Sequence, residues 1–250
     1  RRAQQVHHLQ GVSPMTITSA IIYRGPSMAD GRPIMAVISQ LGPKGSDNAK
    51  TGDMAQIDIL LEDEHPVEAR KTGHDTAICG ACPLRVSVCY VNVGFGPASK
   101  YRAVQRGNVP QMAPGAVGAI LRERGRAIRI GAYGDPGMVP FEIWRALLDA
   151  AGTAHTSYTH QWREPWFDPR HLSISMASVD SENTVEELRA RFPDARHYRL
   201  ASDYSDVDRA LEVKCPSKAD DGTRRVQCVD CGLCGGTDRA AKSIVIVEND

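Results

Sequence analysis

Seven cysteines carry the most explicit chemistry of this 250-residue chain, and they fall in two groups. Cys79, Cys82 and Cys89 stand in CGACPLRVSVCY; Cys215, Cys228, Cys231 and Cys234 stand in CPSKADDGTRRVQCVDCGLC. Two thiolates separated by two residues can place both sulfurs on one metal centre from a tight turn. The close triple Cys228, Cys231 and Cys234 sets three thiolates around one object, as iron–sulfur ligand runs do. Zinc sites more often use two separated pairs. Thiolate-rich sites suit both metals, so one or two [4Fe–4S] clusters are the first expectation and zinc is the alternative. Three thiolates on a four-iron cubane leave one iron open to a small molecule, whereas four thiolates close the cluster for electron transfer or structure. The three-plus-four split fits one open and one closed site. It fits equally a single metal bound from both ends of the chain, with spare thiols. His65 and His74 flank the first group, and His74 is a candidate fourth ligand there. CxxC pairs also serve dithiol chemistry, but the continuation of Cys228 and Cys231 to Cys234 favours metal.

The elements that must position these cysteines change character along the chain. Residues 1–15 read as a flexible leader and 16–250 as one α/β metal-binding domain. Within it, 16–72 is β-rich, 73–204 is a βα core and 205–250 is a cysteine-rich tail with a closing strand. Runs rich in β-branched residues at Thr16–Arg24, Pro33–Leu41 and Ala55–Asp63, separated by Pro- and Gly-containing turns, predict an antiparallel β-meander. The stretch around Gly94, Gly96 and Pro97 reads as a loop, with no phosphate-binding fingerprint. Beyond it, helices are expected at Pro114–Gly125, Met138–Gly152 and Ser181–Pro193, the last capped at Ser181 or Asn183. Strands are expected at Ala127–Tyr133, Ala154–His160, His171–Val179, His197–Ser202 and Ser243–Glu248, and a short helix at Asp206–Val213. Alternating strands and helices predict βα units forming a partial (β/α) barrel or an open parallel sheet.

In such folds ligands bind at the carboxyl ends of the strands. Asp135, His160, Asp180 and Asp203 fall just past four expected strand ends, about one βα unit apart. They are expected to share one face, with a helix-capping role as the plainer alternative for Asp180. Asp135 stands in a Gly-Asp-Pro-Gly turn, which makes it the stronger site candidate.

An iron–sulfur triad before a set of βα units, with a cysteine-rich tail, resembles the radical S-adenosylmethionine superfamily. The segment IRIGAYGDPGMVPFEIWRALLDAAGTAHTSYTHQW also resembles a group of little-characterised phage and actinobacterial cysteine-rich proteins. The resemblance implies a partial barrel, an open cluster on Cys79, Cys82 and Cys89 that binds S-adenosylmethionine, and an auxiliary cluster in the tail. It further implies that Asp135 contacts polar groups of the cofactor and that Tyr158, His160 and Trp162 line the pocket. The gaps between the first three cysteines differ from that superfamily's usual spacing, and the triad follows a meander instead of a barrel's first strand. His160 has the chemistry to move a proton near neutrality, and Trp162 and Trp166 could stack on a ring.

The contrasting reading is a non-enzymatic protein, structural or nucleic-acid-binding, whose cysteines form iron–sulfur or zinc knots. Basic stretches at Ser99–Asn108 and Leu121–Ile130 would then meet the nucleic acid, unless they are only solvated surface. With 30 basic and 30 acidic residues the formal charge is zero, which removes any global argument for a polyanionic partner. A small-molecule ligand is the other partner expected, with an electron donor if the protein is an enzyme. No run reaches ~18 apolar residues and the opening residues lack an apolar stretch, so no membrane partner is expected. The cysteine usage points to a reducing cytoplasm, the host's if the chain is phage-encoded. No serine triad, P-loop, HExxH or zinc-deaminase signature is present.

Overall fold

The computed structural model describes residues 17–85, 89–179, 182–217 and 226–247. Strands β1 (Ser19–Pro26), β2 (Pro33–Ser39) and β3 (Met54–Leu61) pair antiparallel in sequence order, forming the expected meander. Helices follow at α1 (Pro66–Thr72), α2 (Thr76–Cys79), α3 (Gly96–Gln105) and α4 (Pro114–Glu123). The sequence reading anticipated only α4. The Gly96-Pro97 pair taken for a loop instead starts α3, because proline's fixed φ and missing N–H suit the first helical turn. The segment α1 carries both terminal signals as well: the His65 side chain accepts from Val67 N, and Gly73 ends the helix in the left-handed region.

Strand β4 (Ala127–Tyr133) lies parallel to β3, α5 (Phe141–Ala151) follows, and β5 (His155–Thr156) lies parallel to β4. The first sheet therefore runs β1-β2-β3-β4-β5. One hydrophobic cluster joins its strands to α2, α4 and α5, from Ala20 to Ile174. Strands β6 (Tyr158–Thr159), β7 (Met176–Val179), β8 (His197–Ala201), β9 (Glu212–Lys214) and β10 (Ser243–Val247) form a second, all-parallel sheet in the order β6-β7-β8-β10-β9. Ser157 alone separates β5 from β6, so one extended stretch serves both sheets. Its side chain is buried against Ser175, Oγ to Oγ 2.6 Å, and its N–H donates to the Cys234 carbonyl at 2.9 Å.

Two expected elements differ. The strand predicted over His171–Val179 keeps only β7, because Asp168 caps a 3-10 turn over Pro169–Ser173 through Arg170 N. The short helix predicted over Asp206–Val213 is a 3-10 turn at Tyr204–Asp206 followed by β9. Asp203 and Asp208 accept from the backbone two residues on, a local alternative to helix. Buried Arg199 and His197 draw Glu212 onto the strand.

A parallel sheet needs cover on both faces. Ala177 and Val179 face a small core with Trp162, Phe167, Leu172, Val185 and Leu188, built under α6 (Glu182–Arg191). The opposite face, which presents Tyr158, Tyr198, Ile244 and Ile246, is covered by the second cysteine group and its one-turn helix α7 (Cys228–Cys231).

Candidate metal centres

The first cysteine group is built where α2 meets the end of β4. One turn of helix ends at Cys79 and is closed by Gly80, φ 54°. A Cβ on Gly80 would meet Gln161 Oε1 at 2.2 Å and Met138 Cε at 2.4 Å, so only glycine fits. The chain then turns back, with Cys82 N donating to the Cys79 carbonyl and Arg85 N to the Cys82 carbonyl, both at 3.3 Å. On β4 a bulge lets Gln56 pair with Arg129 and Asp58 with Tyr133, which re-aims the strand end toward this turn. Gly134 follows at φ 80°, its α-carbon close enough that a Cβ would lie 2.7 Å from Ile59 Cβ. Asp135 N then donates to the Ile78 carbonyl at 2.7 Å.

The three sulfurs share one electrostatic neighbourhood. Burial pushes the Cys79 thiol far up, and Asp75, Cys82, Asp135 and Cys89 add to the effect. Burial also raises Cys82, with Asp135 and Cys89 adding and backbone N–H groups of Leu84 and Arg85 opposing. Tyr133 faces the same space. Burial and then Cys79, Asp75 and Cys89 push its phenol up, and its hydroxyl has no hydrogen-bond partner among the described residues. Buried Asp75 pairs with Arg85. His74, a candidate fourth ligand by sequence, is instead turned to Glu64 at 2.8 Å and half-exposed.

Asp135 was expected to touch a cofactor. Its carboxylate accepts from Gly137 N (2.9 Å), Thr159 Oγ1 (2.8 Å), His160 N (2.8 Å) and Gln161 Nε2 (3.1 Å). A carboxylate has about four acceptor positions, so these bonds occupy it fully. Its role in this arrangement is to tie the ends of β4 and β6 together. Gln161 carries that tie to the cysteines, donating from Nε2 to the Cys79 carbonyl (2.9 Å) and accepting the Ala81 N–H (3.1 Å). His160, the expected proton carrier, contributes its backbone N–H to this network. Trp162 does not line the site: it is fully buried in the small core under α6, with Nε1 on the Ser178 carbonyl at 2.9 Å. Asp180 and the Ser181 cap lie outside the described residues.

The second group closes over the other sheet. Cys215 directly follows β9 and its N–H donates to the Val245 carbonyl at 2.8 Å. Helix α7 hangs on the β2–β3 loop through Cys228 N to the Lys50 carbonyl (3.2 Å) and Val229 N to the Thr51 carbonyl (2.9 Å). Close packing of Val229 against Gly52, at φ 72°, leaves no room for a side chain there. Cys215, Cys228, Cys231 and Cys234 line one cavity of about 40 Å³ with Tyr158 and Tyr198. Tyr158, expected in a ligand pocket, is therefore placed at the tail cysteines. Burial pushes Cys234 up to about 12, with the Tyr158 hydroxyl opposing and the other three cysteines adding. Cys228 is raised by burial, while Arg129 and Lys50 pull it down.

The seven cysteines, all unpaired, thus sort into two groups of mutual neighbours. Burial raises the thiols of Cys79, Cys82, Cys228 and Cys234, so a cation is what would favour their ligating thiolate forms. The donor set and the orphaned Tyr133 hydroxyl fit a thiolate-bound metal group. Among the described residues, however, no three His, Cys, Asp or Glu side chains are gathered so as to hold a metal ion as they stand. Sequence reasoning missed Gln161, Tyr133 and Tyr198, since nothing in their spacing distinguishes them from core or loop residues. No known protein family, curated protein or solved structure matches the chain. The likeness to the radical S-adenosylmethionine superfamily thus rests on the cysteine pattern and the βα order alone.

Proposed function

We propose that this protein binds iron–sulfur groups at two sites and is an enzyme of the radical S-adenosylmethionine kind. Cys79, Cys82 and Cys89 would hold an open group, and Cys215, Cys228, Cys231 and Cys234 a closed one. The observation that carries this reading is the sorting of seven cysteines into a triad and a tetrad, each with its own buried walls. A single zinc ion needs its sulfurs about 3.8 Å apart, from a Zn–S bond of ~2.3 Å in a tetrahedron. A polynuclear cluster holds them further apart, because the iron–sulfide core stands between them. The tetrad cavity of about 40 Å³ supports the larger group, since one water needs only ~10–15 Å³ on this scale.

Held by Cys79, Cys82 and Cys89, a group with one iron lacking a protein thiolate would supply a place for a small polar molecule, such as S-adenosylmethionine, to bind. Around it, Asp135 and Gln161 fix the turn that carries Cys79, and Tyr133 offers a hydroxyl donor. Such thiolates persist in a reducing cytoplasm. No helix among the described residues is long and apolar enough to cross a membrane.

The test is anaerobic purification with iron, sulfide and zinc counted per chain. About eight irons and eight sulfides are expected for two cubanes. Cys79→Ala and Cys231→Ala should each remove about half of both. Near-stoichiometric zinc without sulfide would overturn the reading in favour of a binding protein with zinc knots.

A further inference from the structure

The loop from Cys89 to Phe95 carries the two most exposed large apolar side chains among the described residues: Tyr90 and Phe95 are each 74% exposed. The loop itself is firmly built. Val91 and Val93 turn inward against the main core, so the alternating Tyr90 and Asn92 point outward. The Asn92 carbonyl accepts Phe95 N at 3.2 Å, its Oδ1 accepts Gly94 N at 3.1 Å, and the Val93 carbonyl accepts Ala98 N at 3.1 Å. That turn holds the α-carbons of Asn92 and Phe95 within ~7 Å. Two extended residues add at most ~7 Å, so Tyr90 and Phe95 stand no more than ~14 Å apart. A stacked strand rises ~3.4 Å per nucleotide, which puts both rings within reach of one short segment.

Phe95 stands between Gly94 and Gly96. Neither glycine has a positive φ. A Cβ on Gly96 would meet nothing within 4 Å, and one on Gly94 would meet only Asn92 Oδ1, at 3.3 Å. Internal packing therefore does not demand glycine at either position; the missing side chains leave the approach to the ring open from outside. Two arginines bracket the other ring. Arg129 Nη2 donates to the Tyr90 hydroxyl, with its guanidinium carbon 5.8 Å from the ring centre, and Arg70 Nη1 donates to the Val91 carbonyl at 3.3 Å. Among the described residues neither pairs with a carboxylate, unlike Arg85 and Lys100, which pair with Asp75 and Asp58. Their charge is left for an anionic partner.

We propose that this loop is a docking surface for single-stranded nucleic acid. Tyr90 and Phe95 stack on bases of one strand, and Arg70 and Arg129 meet its phosphates. Every base has a π-face, so the recognition is tolerant of sequence. A duplex keeps its bases inside the stack, where the rings cannot reach them. A protein partner fits less well, because the neighbours of the rings are Asn92, Gly94 and Gly96 and supply no aliphatic surface for an apolar interface core. The inference stands whether or not the cysteines hold a metal group.

The experiment titrates the full chain, purified anaerobically, into fluorescein-labelled oligothymidylate and oligouridylate of ~12 nucleotides, within the usual site sizes, and follows anisotropy. A labelled duplex of the same length is the control, and the melting temperature of every variant is compared with wild type first. Both single strands are expected to bind, and the duplex more weakly. Tyr90→Ala and Phe95→Ala should each weaken binding about tenfold, while Tyr90→Phe and Phe95→Tyr, which keep the rings, should stay near wild type. Arg129→Met should reduce the slope of log affinity against log salt by about 0.7. Failure of both single strands to bind at low salt, or binding that Tyr90→Ala and Phe95→Ala leave unchanged, would overturn the proposal. So would equal affinity for the duplex, which would leave only backbone charge at work. Self-association in sedimentation that Tyr90→Ala abolishes, with no oligonucleotide bound, would assign the loop to a second copy of the chain instead.

Discussion

Gln161 spends both Nε2 hydrogens inside the protein, one on the Cys79 carbonyl and one on Asp135, while its Oε1 takes the Ala81 N–H. The amide thus spans the Cys79–Cys82 turn and the strand-end carboxylate. Gln161→Leu leaves buried acceptors without donors and should cost about 1–3 kcal/mol. A lowered urea midpoint, with iron lost from the triad and kept at the tetrad, is the expected result; an unchanged midpoint and iron count would remove the clamp from the account. A different residue sets a pH limit. His171 is buried between Phe141 and Phe167, Nδ1 unpartnered, and burial lowers its pKa to about 4, with Asp135 and Asp168 opposing. The unfolded chain takes that proton near pH ~6.5. Between the two values the unfolded state holds more protons, so stability is full above about pH 6.5 and falls as the pH drops toward 4. Thermal melts across that window should show the loss, and His171→Phe should flatten the slope.

At the scale of elements, α4 and α5 approach closely because Gly118 has no side chain. A Cβ there would lie 2.5 Å from the Leu147 carbonyl and 2.6 Å from Ala150 Cβ. Gly118→Val should force the helices apart and cost about 1–3 kcal/mol. It should lower the melting temperature without changing iron content, since neither cysteine group touches this contact; unchanged melting would show that the helices can slide. The helices themselves were legible from the pattern of Phe141, Trp144, Leu147 and Leu148, which are buried along one stripe of α5. Helix α3 was not, because glycine and proline mark a helix start as readily as a loop. The short elements β9 and α7 were equally hidden. Three or four residues carry no period, and their conformation is set by Glu212 meeting Arg199 and by the β2–β3 loop beneath Cys228.

Across the whole molecule, the tail takes the place that a helix would fill over the second sheet. It is anchored by backbone bonds to Lys50, Thr51, Ser157 and Val245, and by Arg196, whose Nη1 donates to the Gly236 carbonyl at 2.8 Å. If the proposed tetrad group is withdrawn by chelation, the four thiols lose their common partner and this cover should loosen first. Limited proteolysis of chelated protein should then cut between Cys215 and Arg239 well before the β1–β3 meander. Equal protection before and after chelation would mean that hydrogen bonds alone hold the tail.

The sequence by itself determined the α/β class, the antiparallel opening, the order of βα units and the division of cysteines into three and four. These are local properties: side-chain period, turn residues and ligand spacing act over a few residues at a time. It also marked Asp135, because a Gly-Asp-Pro-Gly turn at a strand end is unusual in itself. Only the tertiary structure decided that Asp135 is saturated by Thr159, His160 and Gln161, that Trp162 belongs to a core and that Tyr158 belongs to the tail cysteines. It alone brought Tyr90 and Arg129 together, 39 residues apart in the chain. The physical reason is that a strand's position in a sheet, and the face it turns to a neighbour, depend on pairings between distant segments, which no local pattern encodes.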